Sequence, residues 1–341
     1  MRGFALLLTA MAALGQAPPA DPPGANTNLA LVRFQVAPKK GQPVNDLRPE
    51  DIEIRVDGAP QKVAVFQGGT VQPRTIPTEI SLLFDCTGTT LSAGSLSPRL
   101  FSDRLLDEFP NVSISIYRFS GGISRLITRS RDQAALRKAM DSPLSVHPLS
   151  TFLMDHIGQV ELDAASSPGP AVRILVVFST GLSDDGSSTD THEQQRYQRT
   201  LEIAQQTGLT VYPVILMEQV SPQADSQSAR TSTTTPSMRT MTSGGGGPEV
   251  GISESASTSQ RAMGNLIGLG STTGGKKIEV VPGGNVLPTA LKWIAEQIRN
   301  EYVAGYEPSP SGDKKKKHKA EVVMRNKDRG RINGGARTLL Y

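Results

Sequence analysis

Two hydrophobic periods divide the chain. Residues 29–36 alternate apolar and polar in their second half. Ile52-Glu53-Ile54-Arg55-Val56 alternates throughout and runs into Asp57-Gly58, a strong turn pair, with a return strand predicted over 61–66. This is the pattern of a small β module with one buried face. From residue 76 the period changes. Apolar runs at 79–84, 112–119, 173–179 and 209–216 alternate with helical spacing at 100–109, 130–140, 151–164 and 192–207. Ser130 is the expected cap of the second helix. The nearly continuous run 173–179 reads as the buried centre of a parallel sheet, and Pro213 places the strand over 209–216 toward an edge. A helical pattern over 262–269, a short strand over 277–281 and an amphipathic helix over 287–299 complete this region. Strands follow at 301–306, 320–324 and 338–341. The predicted fold class is α/β, a doubly wound, mostly parallel, Rossmann-like sheet with flanking β segments from both termini.

Breaks in the pattern set the boundaries. Arg2 followed by the apolar stretch 4–14 and the small-x-small site Ala13-Leu14-Gly15 predict an export signal over 1–17, too short to span a bilayer. Residues 18–27 form a Pro/Ala/Gly linker. The N-terminal β module covers 28–72, the α/β domain 76–300 and the C-terminal β segment 301–341. Residues 218–261 are Ser, Thr, Gly and Gln with few large apolar side chains, so they are predicted to be a low-complexity insertion. No later stretch is long and apolar enough for a membrane helix, so the expected location is secreted or periplasmic.

Charge changes the picture little. The formal net charge of the 341 residues is +4, and removal of Arg2 with the leader leaves about +3. Five of those charges are Lys314, Lys315, Lys316, Lys317 and Lys319, so the remainder is about −2. The pI of 9.2 is therefore local, and it gives no support to nucleic-acid binding. The lysine run reads as a solvated hairpin loop, with contact to an anionic surface as the sharper alternative. Cys86 is the single cysteine, so the chain has no intrachain disulfide and relies on its core.

The candidate chemistry sits at the end of the first α/β strand. There Glu79-Ile80-Ser81-Leu82-Leu83-Phe84 leads into Asp85-Cys86-Thr87-Gly88-Thr89. A buried strand that ends on a carboxylate, with hydroxyls at alternate positions, delivers hard oxygens to the carboxyl edge of a sheet, where open α/β folds bind ligands. Magnesium takes few protein oxygens and keeps several waters, and Asp85, Thr87 and Thr89 suit it. A rival reading is a Cys86-dependent hydrolase. It needs His147 or His156 beside the thiol, an orienting group and an oxyanion site. No Gly-x-Ser-x-Gly or His-Glu-x-x-His motif supports it, and the first βα loop lacks Gly-x-Gly-x-x-Gly.

The alternating β/α region with Asp85-Cys86-Thr87-Gly88-Thr89 after its first strand resembles a von Willebrand factor type A domain. More narrowly, the chain resembles the exported von Willebrand factor A-related family named from Acidobacteria. That likeness rests on Lys40-Gly41-Gln42-Pro43-Val44, Asp57-Gly58-Ala59-Pro60-Gln61-Lys62 and Ile298-Arg299-Asn300-Glu301-Tyr302-Val303-Ala304-Gly305-Tyr306. The resemblance implies a metal-ion-dependent adhesion site for Mg²⁺ or Ca²⁺. Asp85, Thr87 and Thr89 occupy its Asp-x-Ser-x-Ser positions, and Thr151 its later threonine. Thr180 stands where the family carries a second aspartate, so Asp184 or Asp185 must substitute. It further implies a monomeric, non-enzymatic binding protein. Its protein partner would offer an acidic side chain to the metal edge. The alternative is a metal-independent scaffold.

Overall fold

The computed structural model describes residues 29–39, 44–69, 74–86, 106, 109–141, 152–179, 190–216, 251–280, 286–308 and 316–340. A six-stranded sheet forms the centre. Its strands are β5 (Thr78–Asp85), β6 (Val112–Phe119), β7 (Ile123–Ser130), β8 (Val172–Ser179), β9 (Thr210–Leu216) and β10 (Ile278–Val280), in the spatial order β10-β9-β8-β5-β6-β7. All neighbours are parallel except β6 and β7, which pair antiparallel.

Because the side chains of a strand alternate, the central strands are apolar on both faces. Ile80, Leu82 and Phe84 of β5, with Ile174, Val176 and Phe178 of β8, build one core. The helices α1 (Gln133–Met140) and α5 (Val286–Arg299) cover this face through Leu136, Met140, Ala290, Leu291, Ile294 and Ile298. Leu83, Tyr117, Phe119, Leu175 and Val177 point the other way. They pack beneath α2 (Leu153–Ala165), α3 (Asp190–Thr207) and α4 (Gly251–Thr272). Helices on both faces of a mostly parallel sheet make the doubly wound fold that the alternating pattern predicts.

The remaining strands come from both ends of the chain and close on each other. They are β1 (Ala30–Ala37), β2 (Ile52–Val56), β3 (Ala59–Gln61), β4 (Val65–Gly68), β11 (Glu301–Tyr306), β12 (Lys317–Met324), β13 (Arg331–Asn333) and β14 (Ala336–Leu340). They form two four-stranded sheets, β13-β1-β11-β4 and β14-β12-β2-β3. Val32, Phe34, Ile52, Ile54, Tyr302 and Val322 fill the space between these sheets. Each sheet mixes N-terminal and C-terminal strands, so neither end can form its sheet alone. The tight turn at Asp57 (φ 50°) and Gly58 (φ 84°) joins β2 to β3 through two residues in the left-handed region, as the Asp-Gly pair predicts.

Several expectations are corrected. The return strand over 61–66 is broken: β3 ends at Gln61, and β4 pairs in the other sheet. Asp132, not Ser130, caps α1, accepting from the backbone N–H groups of Ala134 and Ala135. Helix α4 begins at Gly251, so the span 218–261 is not wholly an irregular insertion. The lysine run is not wholly a loop either. Lys317, His318 and Lys319 lie in β12, with Lys317 and Lys319 exposed. Strand β9 is one in from the edge, yet Pro213 is tolerated for a local reason. The N–H of Val211 turns outward and donates to Thr273 Oγ1 at 2.9 Å, and the β10 ladder begins only at Val214. By alternation, position 213 faces that same gap, where no donor is required. The helix expected over 100–109 lies almost wholly outside the described residues.

Candidate functional site

Strand β5 is the turning point of the central sheet. From β5 the chain crosses to β6 on one side, and from β8 it crosses to β9 on the other. Open α/β sheets bind ligands in the crevice outside the carboxyl ends of such neighbouring strands. Two residues define that crevice here. Asp85 ends β5 and Ser179 ends β8. Both are buried, and Ser179 Oγ donates to Asp85 Oδ2 at 2.7 Å. Residue parity places both on the α2–α4 face of the sheet. Both are hard oxygen donors, which fit the oxygen preference of Mg²⁺ or Ca²⁺.

The surroundings of this pair are aromatic. Phe119 ends β6 opposite Asp85. His156, in the second turn of α2, lies against Phe119 with ring centroids 4.8 Å apart. Burial holds its imidazole below the usual histidine range, with Asp155 working weakly in the other direction. Its Nδ1 is buried and has no hydrogen-bond partner among the described residues. At the solvent side of the same helix start, Arg196 stacks on Phe152 at 3.7 Å and pairs with Asp155 at 3.3 Å.

Cys86 takes the opposite face. It is buried in the core under α1 and α5, its thiol donates weakly to Phe84 O at 3.7 Å, and its N–H donates to Phe119 O. Burial pushes the thiol up to about 11, Arg118 pulling it slightly down and Asp85 slightly up. A protonated thiol on one face and His156 on the other do not form a nucleophile–base pair. His147, the other histidine considered, lies outside the described residues.

Of the predicted metal ligands, Asp85 is in place at the sheet edge. Thr87, Thr89, Thr151 and Asp184, with Thr180 and Asp185, lie outside the described residues. Among the described residues no three His, Cys, Asp or Glu side chains come together. Sequence reasoning missed Ser179. The available signal was a hydroxyl closing the apolar run 173–179, in parity with Asp85.

No protein-family model matches the chain, and no curated protein matches it. Among solved structures, it is similar to an aerotolerance-related membrane protein from Bacteroides fragilis at 16% identity, covering 65% of this chain and 98% of that one with a TM-score of 0.39. It is similar to the von Willebrand factor domain of the type V pili tip protein Mfa5 from Porphyromonas gingivalis at 11% identity, covering 66% and 96% with a TM-score of 0.40. The SpRpn10 VWA domain is similar at 10% identity, covering 66% and 98% with a TM-score of 0.39. By its strand order the central unit is a doubly wound, mostly parallel α/β sheet, the architecture expected of a von Willebrand factor type A domain.

Proposed function

We propose that the chain is an exported binding module that recognises a protein partner at the carboxyl edge of its central sheet. The observation that supports this reading is the Asp85–Ser179 pair at the strand switch point. Asp85 would hold a divalent cation together with Thr87, Thr89 and Thr151, with Asp184 supplying the second carboxylate in place of the family's aspartate at position 180. The cation would supply a positive centre for an acidic side chain of the partner. The chain's own part is to present oxygens from adjacent strands and to bury the backs of those strands in a rigid core. On this reading the chain is a member of the exported von Willebrand factor A-related bacterial family.

A second reading is favoured by the same hydrogen bond. An Asp85 carboxylate already engaged by Ser179 can act as a latch between β5 and β8, with binding at that edge independent of metal. Affinity capture of partners by the exported protein, with and without a chelator, separates the two. Under the first reading, chelator and Asp85→Ala each abolish the same specific capture. Capture that survives both treatments contradicts the cation reading and favours the scaffold.

A further inference from the structure

The sandwich meets the α/β unit through an unusual set of buried charges. Arg33 of β1, Glu301 of β11 and Arg337 of β14 are each at least nine-tenths buried, as is Tyr212 of β9. Arg33 Nη2 donates to Glu301 Oε2 at 2.7 Å and to Tyr212 Oη at 3.1 Å. Arg337 Nη2 donates to the carbonyl of Leu209 at 2.7 Å. Two guanidinium groups therefore share one carboxylate. A third arginine, Arg74, donates to the backbone carbonyls of Arg299 and Glu301 rather than bringing in a counter-charge.

The donor count is as unbalanced as the charge. Arg33 Nε and Nη1 are shielded from solvent and have no hydrogen-bond partner among the described residues. A guanidinium carries five N–H donors in a fixed fork, so the free side of Arg33 points two charged donor atoms into the interior. Leaving such donors without an acceptor is costly, more so when they carry charge. A neutral acceptor would satisfy the donors and leave the net positive charge. A small anion corrects both. Burial, and then repulsion from Arg33, hold the Arg337 guanidinium down at about 10, so it remains a cation at neutral pH.

We infer that the free edge of Arg33, at the junction where the buried Arg337 also lies within electrostatic reach, is a binding site for a small monovalent inorganic anion of halide size. The site lies where the sandwich meets the α/β unit, because Arg33 and Arg337 come from the sandwich while their partners Tyr212 and Leu209 belong to the central unit.

The chain carries its own reporter. Trp293 is its single tryptophan, and it packs edge-on against Tyr212 with ring centroids 5.3 Å apart. The test titrates the full chain with sodium bromide against sodium gluconate at constant ionic strength and follows tryptophan emission. The expected result is saturable quenching that chloride reverses, together with a higher melting temperature in chloride than in gluconate. Arg337→Gln is expected to weaken the saturable component on the order of tenfold or more. Quenching that rises linearly and ignores chloride overturns the inference, as does a saturable component unchanged in Arg337→Gln. Should that variant fail to fold, bromide-soaked crystals of the unaltered chain decide. An anomalous peak beside Arg33 Nε and Nη1 supports the site, and no peak there overturns it.

Discussion

At the residue scale, three positions at the end of two strands divide the chemistry. Asp85 and Ser179 share one face, whereas Cys86 falls on the other. The position of Asp85 at the sheet edge was legible because a carboxylate that ends an apolar strand marks the strand's carboxyl end. Ser179 was not, because a single hydroxyl at a strand end is common. A hydrogen bond to a charged group contributes about 1.5–3 kcal/mol, so Ser179→Ala should destabilise the protein by that order in urea melts. No measurable loss would show that Asp85 does not depend on this contact. Glu161 is a second informative residue. It is fully buried on α2, and neither carboxylate oxygen has a hydrogen-bond partner among the described residues. Burial alone pushes its carboxyl well above the ordinary range. The folded state therefore keeps it protonated, while the unfolded chain ionises above about pH 4.3. Its contribution to stability is fully present below that value and is lost as pH rises toward the folded pKa. Glu161→Leu should flatten this decline and raise stability at about pH 8 by about 1–3 kcal/mol. Urea melts of both proteins at about pH 5 and pH 8 check it, and parallel pH profiles would refute the assignment.

At the element scale, the buried strands were legible and the covered edges were not. β5, β6, β8 and β9 read clearly because both faces are apolar. β7 was missed altogether. Ile123-Ser124-Arg125-Leu126-Ile127-Thr128-Arg129-Ser130 is an antiparallel edge strand, half-exposed, with a register irregularity. Arg125 reaches Asp163, Arg131 beyond its end donates to the carbonyls of Leu106 and Phe109, and Arg129 takes φ 43°. Such charges and irregularities keep an edge from pairing with another chain, and they also erase the period that identifies a strand. The first half of α4 was hidden by its Ser/Thr/Gly composition, which has low helix propensity. At the opposite edge, Thr273 and the glycine turn after it close β9. A Cβ at Gly275 would collide with the backbone carbonyl of Val211. Gly275→Ala should therefore lower the melting temperature, at a cost of about 1–3 kcal/mol from the displaced turn. An unchanged melt would mean that the turn shifts freely and does not seal the edge.

At the scale of the whole molecule, the α/β unit is carried within a sandwich made from both ends of the chain. Helix α5 passes into β11 through Asn300 alone, so the two units share a continuous backbone at a buried ion pair. Breaking a buried pair by removing one partner costs about 3–5 kcal/mol, whereas replacing both by apolar residues is often neutral. Glu301→Leu alone should therefore be strongly destabilising, and Arg33→Met with Glu301→Leu much less so, when both are followed by chemical denaturation. Equal losses in the two variants would show that packing, not charge, holds this junction. That both termini join one sandwich was only partly legible. The alternating strands were visible at each end, but pairings between residues more than 260 positions apart, such as Ala30 with Tyr306, leave no local pattern. The proposed place for recognition is the carboxyl edge of the central sheet, with Asp85 at its turning point. The most direct test of that proposal is calorimetric titration of the protein with Mg²⁺, Ca²⁺ and Mn²⁺, beside an Asp85→Ala variant shown to melt cooperatively. A saturable heat that disappears in Asp85→Ala is the predicted result. No heat at millimolar metal, or equal heat from both proteins, contradicts a cation at Asp85.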